Sequence, residues 1–163
     1  RIFTDKMLGN FQYCGLIARA WPTAKIVHMV RNPLDNIMSI YRNYFVTGHA
    51  YAYDLDEIID HYHAHMQMMA AWKERYGDRI FTCDYDRLVS ESGQGIRALV
   101  DFCGFEWNEM YLEPHRNRRR VKTASMAQVR RPIYATSVKG WRKYEKYLKP
   151  VAERLRELGY MID

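Results

Sequence analysis

Two short apolar runs, AKIVHMV at 24–30 and RIFTCDY at 79–85, bracket a long stretch with helical spacing. That order constrains the fold more than any other feature of the chain. Strands joined through helices cannot form a tight hairpin, so they are expected to pair in parallel by a crossover. AKIVHMV is nearly all apolar and rich in strand formers, a pattern typical of strands covered on both faces. The expected fold class is α/β, with a short parallel sheet flanked by helices.

The helices can be placed from periodicity and punctuation. NFQYCGLIARAWP puts Phe11, Cys14 and Ile17 or Ala18 on one face, with Pro22 as the stop. A helix from Pro33 uses proline at its first position and aligns Leu34, Ile37, Met38, Tyr41, Tyr44 and Phe45. Asp35, Asn36, Ser39, Arg42 and Asn43 then fall on its polar side. The stretch after Asp54 is the clearest helix, with Asp54 as cap, Glu57 three residues on, and Gly77 at its end. Its core face is Leu55, Ile58, Tyr62, Met66, Met69 and Tyr76. IRALVDFCGF is a helix closed by glycine, and YEKYLKPVAERLRELGY is amphipathic with Tyr144, Leu148, Val151, Leu155 and Leu158 inward. Pro150 is expected to kink or split that last helix. No repeat or low-complexity linker interrupts the chain, so one domain over residues 1–163 is expected.

A chain of 163 residues can bury a sizeable core. No apolar run approaches the ~20 residues of a membrane span. The chain begins with Arg rather than Met, and is expected to start inside a longer protein. Cys14, Cys83 and Cys103 form no CxxC pair, so reduced buried thiols and a reducing, cytoplasmic compartment are expected. Net charge is +6, yet ten Lys and Arg residues and no acid lie between Pro114 and Tyr144. Without those ten charges the remainder carries −4, so the excess is local and points to a local anionic partner.

Arg31 ends the first apolar run, where ligands of α/β sheets bind. Ser39 lies six residues beyond Pro33, about 9 Å along a helix axis. A guanidinium fork and a hydroxyl so placed could clamp a phosphate. Alternatively, Arg31 pairs with Asp35 and Ser39 is merely exposed. HRNRRR reads as a solvated loop or a nucleic-acid patch. SMAQVRRPIYATSVKGW is more than charge, since Ser125, Gln128 and Ser137 alternate with Arg130 and Lys139 and can wrap a phosphate. His61 and His65 stand four apart on one helix, but no third ligand is evident and no metal is expected. GxxxxGK[ST] and GxGxxG are both absent.

The ordered blocks TDKMLGNF, WPTAKIVHMVRNPLDNIMSIY, GHAYAYDL, YDRLV, FCGFEW and VKTASMAQVRRPIYATSVKGWRKY resemble the sulfotransferase family that uses 3′-phosphoadenylyl sulfate. The resemblance runs from about residue 4 to residue 148 and is nearest the bacterial branch often fused to tetratricopeptide repeats, akin to protein-tyrosine sulfotransferases. It implies a P-loop-like three-layer fold whose N-terminal strand–loop–helix, the 5′-phosphosulfate loop, is missing from this stretch. It also implies that Arg31 and Ser39 bind the donor's 3′-phosphate, and that Tyr85 approaches the adenosine. Asp86 here replaces the family's usual Glu. Ser125, Gln128, Val129 and Arg130 would close over the nucleotide, and Lys139 would touch phosphate, although its register against Trp141 is off by one. Asn43 stands where the tyrosine branch has Arg, which leaves Arg42 out of the expected site. Lys6 would sit near the transferring sulfuryl group, as the catalytic cation. Leu8 occupies the position of the catalytic His of cytosolic members, so the base is expected outside this chain. The resemblance thus implies the 3′-phosphate half of a site, inactive alone, acting with an upstream segment on a small-molecule, carbohydrate or peptide acceptor. Neither metal nor nucleic acid is implied. Two rivals stay open: a non-catalytic polyanion- or nucleic-acid-binding module built on residues 115–143, and a P-loop nucleotide kinase.

Overall fold

The computed structural model describes residues 2–45, 48–117 and 131–162. Among these, the sheet has two strands, β1 (Ile26–Val30) and β2 (Ile80–Asp84). They pair in parallel, from Ile26 opposite Ile80 to Val30 opposite Asp84. Helix α1 (Cys14–Ala20) precedes β1, and α2 (Pro33–Tyr41) and α3 (Leu55–Tyr76) make the crossover. Helices α4 (Tyr85–Ser90) and α5 (Ser92–Cys103) follow β2, and α6 (Glu145–Glu157) closes the chain. The α/β class expected from the order of the runs is the one observed.

Local chemistry explains the boundaries. Asn32 caps α2, its Oδ1 accepting the N–H groups of Leu34 (3.0 Å) and Asp35 (3.3 Å). Asp54 caps α3 in the same way, accepting from Asp56 and Glu57 at 2.8 and 3.0 Å. Gly104 adopts the left-handed conformation (φ 75°) that ends α5. Helix α2 is shorter than its apolar spacing suggested. Asn43 turns its Nδ2 back to the Ser39 carbonyl at 2.6 Å, satisfying an acceptor that a further turn would otherwise use. Tyr44 and Phe45 therefore lie beyond the helix, and Tyr44 is exposed. Pro150 does not split α6, which continues past it. Pro150 and Lys146, whose carbonyl the proline cannot bond, are both exposed, so that carbonyl lies on the solvent side.

The larger core lies between helices rather than on the sheet. Leu34 and Ile37 of α2 meet Ile58, Ile59 and Tyr62 of α3, and Leu148, Val151 and Leu155 of α6, with Trp141 completing the cluster. Each fully buried Leu or Ile there contributes roughly 1.5–3 kcal/mol. A smaller cluster of Cys14, Met69 and Ile80 seats α1 and α3 on the sheet. There Gly15 lets α1 approach closely, because a Cβ at that position would stand 2.5 Å from the Trp72 ring. On the opposite face Phe81 stacks on Phe102 of α5, with ring centroids 5.1 Å apart. Helices thus cover both faces at β2, giving three layers. The expectation that β1 is likewise covered on both faces is corrected. Its residues alternate, with Ile26, His28 and Val30 half-buried and Val27 and Met29 exposed. The aromatic packing of α5 is on β2, so the Val27–Met29 side of β1 stays open among the described residues.

Two polar ties hold the inner layer. Arg79 donates to the carbonyls of Ala18 (2.9 Å) and Trp21 (2.8 Å), satisfying the C-terminal end of α1. His28 of β1 and His65 of α3 meet Nε2 to Nε2 at 3.1 Å, so one donates and the other accepts. Burial, followed by the neighbouring charges of His28 and His61, pushes His65 down to about 4. The fold therefore favours neutral His65. Its contribution is complete above the ordinary value of 6.5 and is lost as pH falls from there toward 4. Thermal denaturation followed by circular dichroism should show a midpoint that drops over that window, with a shallower drop in His65→Phe. Arg79→Ala should destabilise by about 1.5–3 kcal/mol in urea unfolding, the range for hydrogen bonds from a charged donor.

Candidate functional site at the strand ends

The parallel register decides what stands at the carboxyl end of the sheet. Val30 faces Asp84, so the residues that follow, Arg31 and Tyr85, leave the two strands side by side. They meet with the guanidinium carbon 5.1 Å from the centre of the tyrosine ring, within cation–π range. Arg31 Nη2 donates to the Ser137 carbonyl at 2.6 Å, and the Tyr85 and Ser137 hydroxyls are 3.2 Å apart. One peptide segment, far away in sequence, is thereby held across both strand ends.

Two carboxylates flank the guanidinium. Asp35 Oδ2 lies 3.8 Å from Nη2, and Asp86 Oδ1 lies 3.8 Å from Nε. At that distance they attract the charge without hydrogen-bonding it. Arg31 Nε, Asp35 Oδ2 and Asp86 Oδ1 are all buried and have no hydrogen-bond partner. The other oxygen of each acid is engaged. Asp86 Oδ2 accepts the Asn32 N–H at 3.1 Å, and Asp35 Oδ1 accepts the Trp141 N–H at 2.8 Å. Burial pushes the Asp86 carboxyl above the usual carboxylate range. The Asn32 N–H and the Arg31 charge oppose the shift, while Asp35 and Asp84 add to it. One guanidinium beside two carboxylates does not make an anion site by charge alone. A dianion at Arg31 would need more positive charge than this cluster holds.

The residues singled out from sequence divide into three groups. Arg31 and Tyr85 come together, with Ser137 between them. Ser39, Lys6 and Lys139 are exposed, and none of the described hydrogen bonds or ion pairs joins any of them to Arg31. Ser39 lies near the end of α2, Lys6 in the segment before a 3-10 turn at Leu8–Tyr13, and Lys139 just before a 3-10 turn at Gly140–Tyr144. Ser125, Gln128, Val129 and Arg130 lie outside the described residues.

The contact between Arg31 and Asp35, one of the two arrangements drawn from spacing, is present. The assignment of Asp35 to the polar side of α2 is corrected, since it is only 4% exposed. Its four-residue offset from Arg31 was a usable signal for the ion pair. Nothing local could have announced its bond to Trp141, 106 positions away.

The GHAYAYD segment forms a 3-10 turn at Ala50–Tyr53, and Tyr53 and Asp54 help line a cleft of about 300 Å³ with Tyr41 and Tyr147. His61 stacks on Tyr51 with ring centroids 3.8 Å apart. Among the described residues no group of three or more His, Cys, Asp or Glu is placed to hold a metal ion. No described helix is long and apolar enough to cross a membrane.

The chain is 42% identical over 156 residues to an uncharacterized protein of Aquifex aeolicus (strain VF5). That match covers 94% of the chain but only 20% of the relative's length. A sequence model of the sulfotransferase family matches residues 1–109, the part that holds α1, β1, the crossover helices, β2 and both residues at the strand ends. On that match, the chain belongs to the sulfotransferase family.

Proposed function

We propose that this chain supplies the 3′-phosphate-binding part of a sulfotransferase whose donor is 3′-phosphoadenylyl sulfate and whose acceptor carries a hydroxyl or amine. The observation that carries the proposal is the Arg31 fork at the carboxyl ends of two parallel strands, with a buried Nε that no protein acceptor satisfies. Such a donor fits a phosphate oxygen, and the edge of the fork matches a phosphate in two parallel bonds. Tyr85 lies under the guanidinium, where it both orients the fork and offers a ring edge to the nucleoside.

The donor supplies an activated sulfuryl group. The protein's share is to bind, orient and neutralise. Arg31 holds the 3′-phosphate, and Ser39 adds a hydroxyl from α2, the helix that follows it. Ser125, Gln128, Val129 and Arg130 close over the nucleotide, and Lys139 brings a second positive charge. Together with the rest of the basic segment it outweighs the two carboxylates at Arg31. Lys6 stabilises negative charge on the sulfuryl oxygens. The base that takes the acceptor's proton, and the loop for the 5′-phosphosulfate, come from elsewhere in a longer protein, in the branch associated with tetratricopeptide repeats. The length of the Aquifex aeolicus relative supports that arrangement. The acceptor meets the Tyr41, Tyr53 and Tyr147 cleft on one side. The lack of any described membrane-crossing helix is compatible with cytoplasmic work.

Donor selectivity over ATP follows from the 3′-phosphate, because ATP has nothing to fill the Arg31 fork. In thermal-shift measurements adenosine 3′,5′-bisphosphate should stabilise the chain, with little effect of AMP or ATP at equal concentration. Arg31→Ala should weaken bisphosphate binding by about tenfold or more, as expected for loss of a charge-assisted contact of ~1.5–3 kcal/mol. Preference for ATP would identify a nucleotide kinase instead. Equal, steeply salt-dependent response to every polyphosphate would identify a polyanion-binding module.

A further inference from the structure

Asp35 is the one buried charged residue among the described residues. Leaving a carboxylate in such a place costs free energy unless its oxygens are used. One oxygen is used at long range, where Oδ1 accepts the backbone N–H of Trp141 at 2.8 Å in a buried bond. The other faces Arg31 Nη2 at 3.8 Å without hydrogen-bonding it.

The segment that Asp35 holds has an unusual conformation. Lys139 sits in the left-handed region (φ 55°, ψ 24°), alone among the described non-glycine residues. That geometry is uncommon for a side chain with a Cβ and persists only where the surroundings determine it. Two residues earlier, Ser137 gives its carbonyl to Arg31 and its hydroxyl to Tyr85. Two residues later, Trp141 drops its ring into the main core at 7% exposure. Residues 137–141 are thus tied down by groups from the end of β1, the first turn of α2 and the start of α4.

We propose that Asp35 is a positioning residue of the donor site, whose carboxylate anchors the Ser137–Trp141 turn across the Arg31 fork and so sets where Ser137 and Lys139 stand when a 3′-phosphate binds. This rests on the donor assignment above. The anchor is the hydrogen bond to Trp141, not the negative charge beside Arg31. An acceptor of the same shape without charge therefore does the same work. Removing the acceptor releases the turn, and with it the carbonyl and hydroxyl that orient Arg31 and Tyr85.

The test compares wild type, Asp35→Ala and Asp35→Asn in the 163-residue chain. Adenosine 3′,5′-bisphosphate is titrated by calorimetry, and hydrogen exchange of the Trp141 amide is followed without ligand. Asp35→Ala should bind about tenfold more weakly, the scale of one lost charge-assisted hydrogen bond, and should expose the Trp141 amide to exchange. Asp35→Asn should stay within about threefold of wild type and keep the amide protected. An Ala variant with a lowered melting temperature but unchanged affinity overturns the proposal and leaves Asp35 a merely structural role. An Asn variant as weak as Ala overturns it too, since charge would then be what matters. If the Ala variant does not fold, the Asn variant decides by itself: near-wild-type affinity with a protected amide upholds the anchor, and tenfold weakening refutes it. A wild-type chain that takes up no bisphosphate overturns the donor assignment, and with it the role given to Asp35, even where exchange upholds the tether.

Discussion

The parallel pairing of β1 with β2 is the constraint on which the rest depends. Its register places Val30 beside Asp84, and the Arg31–Tyr85 and Asn32–Asp86 contacts follow from that step. Arg31 and Tyr85 leave adjacent strands at the same level and meet as cation and ring. Asn32, one residue further, is within reach of Asp86, one residue beyond Tyr85. A slip of one residue would turn Arg31 and Tyr85 to opposite faces, because side chains alternate along a strand. The register is itself held by burial on the inner face. Ile26 and Ile80 pack on α1 and α3, and His28 bonds His65, so a shifted strand would put polar and apolar positions in the wrong layer.

A second feature is the separation of stability from electrostatics. The main core lies among α2, α3 and α6 and is built from apolar and aromatic side chains. The strand ends instead concentrate charge in a partly dry place: one guanidinium, two carboxylates, and three buried polar atoms without hydrogen-bond partners. Such a cluster is poorly compensated as a purely structural device. Its acids are each tied by one oxygen to a backbone N–H, Asp35 to Trp141 and Asp86 to Asn32, which fixes their positions without neutralising them. The excess of positive charge is kept on a separate stretch of the chain, so the balance at the strand ends depends on where that stretch lies.

Much of the architecture was readable beforehand, for identifiable reasons. Capping and termination are local events, so Asp54, Gly77 and the glycine after Cys103 marked their helices correctly. Amphipathic spacing identified Ile58, Tyr62 and Met69 in α3, and Leu148, Val151 and Leu155 in α6, because burial of one face repeats with the helical turn. The failures have equally particular causes. An apolar run cannot report that one face of β1 lacks a covering helix, so it predicts burial for Val27 and Met29, which are exposed. Spacing continued the α2 stripe through Tyr44 and Phe45, whereas a single Asn43 side chain ended the helix first. Asp35 was assigned to the polar side because its identity is polar, and its partner is 106 residues distant.

The sequence by itself determined the local grammar of this protein. The order of strands and helices, the caps, the segregated charge and the Arg at the end of a strand all follow from interactions within a few residues, and those interactions act whatever the rest of the chain does. Only the tertiary structure decided that Arg31, Tyr85, Asp35, Asp86 and Ser137 share one place. Apart from the four-residue step from Arg31 to Asp35, those contacts join parts of the chain that no spacing rule relates, and they form only once the parallel register and the helical core have brought the strand ends and the Ser137–Trp141 turn together.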